Sequence, residues 1–69
     1  MTINEVKAKY SKEFERCAQL KNTCFDLYLD EKKAGNSEEA TQWESFYEMW
    51  LTKWVLLMDF LEDLEALAD

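Results

Sequence analysis

The chain has 69 residues, with fifteen acids, eight bases, no histidine and a formal net charge of −7, so it forms one domain at most and buries little core by itself. Without histidine, a histidine general base, a Cys/His nucleophilic pair and a zinc site of ordinary ligands are out of reach, and without a basic run there is nothing to grip a phosphate backbone. Hydrophobic residues make up 48% of the chain, with one glycine and no proline, which argues for a folded, nearly all-helical protein and against a disordered acidic tail.

The first element opens at Thr2-Ile3-Asn4-Glu5, which has the form of a capping box: the Thr2 hydroxyl accepts from the Glu5 amide, and Glu5 can reach back. The helix expected over about 3–34 carries Ile3, Val6, Tyr10, Phe14, Cys17, Leu20, Cys24, Leu27 and Tyr28, mostly three and four apart and therefore on one face. Ala18, Phe25 and Leu29 widen that face, while Lys7, Lys9, Lys12, Glu13, Glu15 and Arg16 cover much of the other. Glu5 and Lys9 stand at the spacing of a helpful helix ion pair. Cys17 and Cys24 lie two turns apart, about 10.5 Å of rise, too far for an intrachain disulfide. They read as small buried residues, and reduced thiols without a recognisable signal peptide suit an intracellular, cytoplasmic protein. Lys21 and Thr23 beside Cys24 mark the edge of the apolar face; the competing reading gives Lys21 an anion to hold.

The helix is expected to stop at Lys32-Lys33-Ala34-Gly35, where two lysines suit the negative end of the dipole and Gly35 is the natural left-handed cap. Gly35-Asn36-Ser37 is the one turn-like stretch. Asn36 or Ser37 caps a second helix, expected over about 38–67, with Glu38 and Glu39 in its first turn. So short a turn folds the helices back along each other as an antiparallel hairpin about 45 Å long. It also brings Lys7, Lys9 and Lys12 towards Asp59, Glu62, Asp63 and Glu65, acids that the helix dipole disfavours.

The second helix is organised by Ala40, Trp43, Tyr47, Trp50, Trp54, Leu57, Leu61, Leu64 and Ala68, a strict seven-residue repeat of helix-on-helix packing. Phe46, Lys53, Phe60 and Leu67 repeat on a neighbouring line; Leu51, Val55 and Met58 flank the seam on its other side, and Met49 and Leu56 lie further round. A helix this apolar over most of its circumference is buried from several directions, more than one partner helix supplies. Its longest unbroken apolar run, Trp54 to Met58, is far short of the ~20 residues of a bilayer span. The expected fold is an all-α, two-helix antiparallel hairpin that self-associates, most simply as a dimeric four-helix bundle, with Trp43, Tyr47, Trp50, Trp54, Leu57, Leu61 and Leu64 as oligomer core. In size and turn length it resembles hairpins that dimerise in this way, a likeness of architecture that carries no function.

Three groups of residues invite a functional reading. The aromatic set of Trp43, Trp50 and Trp54 with Phe46 and Tyr47 reads first as core; if one of the three tryptophans is exposed, Trp43, nearest the turn, is the one expected. The acids Asp59, Glu62, Asp63, Glu65 and Asp69 form either a solvated face or a docking surface for a basic protein. Carboxylate pairs such as Glu44 with Glu48 and Asp59 with Asp63 share a helix face, but no Glu-x-x-His partner is present to make a metal site of them. The expected function is therefore non-catalytic and cofactor-free: a small acidic adaptor or inhibitor, of the kind phages and mobile elements encode, with itself and a basic protein as partners and neither membrane nor nucleic-acid backbone among them. The alternative is an oligomeric small-ligand-binding protein with a pocket between chains lined by Trp43, Phe46, Lys21 and Lys53.

Overall fold

The computed structural model describes residues 2–68; Asp69, counted above among the acids, and the side chain of Ala68, last in the seven-residue line, lie outside that description. Two helices, α1 (Ile3–Lys33) and α2 (Ser37–Ala68), pack against each other, and the hairpin extends 51 Å along its long axis. Among the described residues no helix is long and apolar enough to cross a membrane.

The chain ends and reverses where local chemistry directs it. The Glu5 amide donates to the Thr2 hydroxyl at 3.1 Å, satisfying one of the free amides that open α1. At the other end the Asn36 amide donates to the Glu31 carbonyl at 2.9 Å and the Gly35 amide to that of Lys32 at 3.2 Å, the double bond pattern of a Schellman cap. That motif needs a left-handed residue, and Gly35 has φ +81°. Asn36 then caps α2: its carbonyl takes the Ala40 amide at 2.9 Å, and its side chain donates to the Glu31 carboxylate at 2.7 Å. The link between the helices is thus Ala34–Asn36, one residue earlier than the 35–37 of the sequence reading, because Ser37 already belongs to α2. A Cβ at Gly35 would meet nothing within 4 Å, so the penalty of Gly35→Ala is the backbone conformation alone, about 1–2 kcal/mol. Chemical denaturation should show that loss with an unchanged slope.

Between the helices the contacts are aromatic. Phe25 meets Tyr47 at 5.2 Å between ring centroids, Phe14 stacks on Trp54 at 5.3 Å and 19°, and Tyr10 meets Phe60 edge-on at 5.1 Å. Among the described residues only Cys17, Cys24 and Ala40 are buried. The cause is geometric. A two-helix unit has a single interface with solvent on both sides of it, so only small side chains at its centre are fully covered, while large ones reach out past the edges. The seam residues Trp43, Tyr47, Trp50, Trp54, Leu57, Leu61 and Leu64 are all half-buried. Both cysteines are free.

Candidate functional site

With about 100° of rotation per residue, α2 divides lengthwise into three strips. One faces α1 and carries the tryptophan seam. A second carries Glu44, Glu48, Asp59 and Glu62, all exposed. The third carries Phe46, Met49, Leu56, Phe60 and Leu67, which are also exposed. At the back, the hydroxyls of Thr41, Ser45 and Thr52 donate to carbonyls one turn earlier, at 2.9–3.2 Å, and so are satisfied on their own helix.

On the acidic strip the hairpin opens a groove of about 230 Å³ lined by Phe25, Tyr28, Tyr47, Glu44 and Glu48. Phe25 bridges its aromatic wall, 6.1 Å from Tyr28 and 5.2 Å from Tyr47. Ring faces carry negative charge density and so do the two carboxylates, a combination that suits a guanidinium or ammonium group. The chain's own Lys32 already uses one wall: its ammonium donates to the Tyr28 hydroxyl at 3.2 Å and lies 5.5 Å from that ring's centroid.

The acids Asp59, Glu62, Asp63 and Glu65 are exposed, but they spread over well more than a third of the circumference of α2. Glu65 points towards α1 and pairs with Lys7 at 3.1 Å. Glu62 and Glu65 line a second groove, of about 360 Å³, with Lys7, Phe14, Met58 and Leu61. Among the described residues the one other ion pair is Arg16 with Glu13, at 3.5 Å. Lys9 therefore makes neither the helix pair expected with Glu5 nor one with the acids of α2; its ammonium lies 5.6 Å from the Tyr10 ring centroid.

Within one chain the four residues expected to line a pocket between chains lie apart. Trp43 touches Phe46 at 5.7 Å, Lys53 lies over Trp50 at 5.4 Å, and none of the four lines either groove. Lys21 instead covers Trp54, with its ammonium 4.8 Å from that ring's centroid and 3.0 Å from the Asn22 side-chain oxygen. All three tryptophans are half-buried. Among the described residues no cluster of three or more Cys, Asp or Glu side chains could hold a metal ion. The aromatic groove was missed in the sequence, although Phe25 and Tyr47 stand nearly equidistant from Gly35, which is the signal for residues that face each other across a hairpin. Compared with protein-family models, curated proteins and solved structures, the chain matches none.

Proposed function

We propose that the chain is a non-catalytic protein-interaction module, an adaptor or inhibitor, that receives a basic side chain of a protein partner in the groove of Phe25, Tyr28 and Tyr47 between Glu44 and Glu48. The observation that carries this reading is that groove, where an aromatic wall meets two carboxylates that have no ion-pair partner among the described residues, on a chain of net charge −7. The surrounding charge steers a basic partner in, and the groove gives one of its arginines or lysines a place to settle. Two free thiols suit a reducing, cytoplasmic setting. The module works as a homodimer in four-helix form, a reading supported by the large apolar side chains that α2 leaves in water.

A nona-arginine peptide is the probe. It should bind saturably at low salt, and Glu44→Gln with Glu48→Gln should weaken it about tenfold, the sum of two modest exposed pairs. Raising the salt from 50 to 300 mM should weaken it further. Equal affinity for the double variant and the native chain would remove the groove from the site, and no saturable binding at 50 mM salt would end the proposal.

A further inference from the structure

The third strip of α2 has the pattern of a helix-pairing seam in its own right. Phe46, Met49, Lys53, Leu56, Phe60, Asp63 and Leu67 follow one another at alternating spacings of three and four, which is the repeat that keeps side chains aimed at a partner helix. Its apolar members are open to solvent: Phe46 48%, Met49 52%, Leu56 64%, Phe60 40% and Leu67 71%. The whole chain exposes 5210 Å², where a folded monomer of 8.3 kDa scales to about 4,600 Å². The excess of about 600 Å² approaches one side of a standard interface.

We infer that this strip pairs with the same strip of a second copy, antiparallel, with Lys53 opposite Asp63 of the partner subunit. The polar positions select the arrangement. Lys53 is the only base of α2, and neither it nor Asp63 has an ion-pair partner among the described residues of its own chain. A parallel, in-register pair would set lysine on lysine and aspartate on aspartate within an apolar seam, which like charges oppose. An antiparallel pair centred between Leu56 and Phe60 sets Lys53 against Asp63 of the partner subunit, Leu56 against Phe60 of the partner subunit and Met49 against Leu67 of the partner subunit, each twice by symmetry. Every exposed apolar residue of the strip from Met49 onward then has an apolar opposite. The strip lies about a quarter turn round α2 from the line that faces α1, so the second copy arrives at the corner that completes a square of four helices. This rests on the self-association proposed above and adds its face, direction and register.

The test is a charge-swap cycle read by light scattering and sedimentation on the full chain. The native protein should run at about twice 8.3 kDa. Lys53→Asp and Asp63→Lys should each raise the dimer dissociation constant at least tenfold, because each puts like charges face to face twice. The double variant restores opposite charges and should return to within about threefold of the native value. Leu56→Glu should give a monomer whose circular dichroism still shows the hairpin. A native dimer indifferent to the swaps, or single variants that the double does not rescue, would overturn this register while leaving self-association standing. A native monomer at 100 μM would overturn both.

Discussion

Replacing Trp54 by alanine is expected to cost on the order of 3–5 kcal/mol, the range of a large aromatic removed from a packed position. The ring is stacked on Phe14 at 5.3 Å and 19°, and the Lys21 ammonium covers it at 4.8 Å, so truncation strips the central contact between the two helices and leaves a phenylalanine and a lysine without their partner. A chain of 69 residues has roughly 3–10 kcal/mol of stability in all, which makes the loss about a third of the total at the least. Trp54→Phe separates two terms. The indole Nε1–H is buried without a hydrogen-bond acceptor among the described residues, and an orphaned donor costs about 1–3 kcal/mol. Phenylalanine gives up some buried area, keeps a ring for Phe14 to stack on and removes the orphan. Urea denaturation of the three proteins at one fixed concentration, since dimerisation makes the midpoint concentration-dependent, should place Trp54→Phe within about 2 kcal/mol of native and well above Trp54→Ala. If alanine were as well tolerated as phenylalanine, the stack would not be what joins α1 to α2.

The hairpin was legible because its signals are local. The Thr2–Glu5 spacing gave the start of α1, and the lysines before Gly35 gave its end; the structure supplies the 3.1 Å cap bond and the positive φ. Periodicity also revealed both apolar lines of α2. It could not say which line α1 would cover, because a helix wheel shows how faces are spaced round one element and not where the neighbour docks. What the sequence left open depends mostly on pairs distant in sequence, although the expected Glu5–Lys9 pair, a local one, is also missing among the described residues. Lys21, at the edge of the apolar face of α1, sits over Trp54, a residue on the other helix. Glu44 and Glu48 were read as a weak carboxylate pair on one helix; their aromatic wall comes mainly from α1. The expected pocket of Trp43, Phe46, Lys21 and Lys53 is one between chains, and within one chain these residues stand on different faces. Phe46 and Lys53 lie on the outer strip of α2, while Lys21 packs inward on Trp54. Register across the turn, set by Gly35, was the missing term for Lys21 and for the groove.

Cys17→Asp is expected to abolish folding at neutral pH, where Cys17→Ala should cost only about 1 kcal/mol. The difference lies in what the site can accept. Cys17 is 1% exposed, the most buried of the described residues, and with Cys24 and Ala40 it completes the centre of the interface between α1 and α2. Alanine leaves a void the size of one sulfur atom. A carboxylate there is cut off from water, and the bases nearest to it along α1 are already engaged, Arg16 with Glu13 at 3.5 Å and Lys21 over the Trp54 ring at 4.8 Å. An unpaired buried charge costs at least several kcal/mol, comparable to the whole stability of the fold. The pH dependence follows with a definite sign. Burial raises the pKa of the new carboxyl in the folded state above its unfolded value near 3.9. A group raised in this way is harmless below the unfolded pKa and destabilises progressively as the pH climbs through the folded one. The gap in stability between Cys17→Asp and the native chain should therefore be widest at pH 7 and should narrow towards pH 3.5, each pair of measurements being made at the same pH so that acid effects on the other carboxylates cancel. Thermal melts followed by circular dichroism give both quantities. A Cys17→Asp protein that melts within a few degrees of Cys17→Ala at pH 7 would show that the centre of the interface is wet.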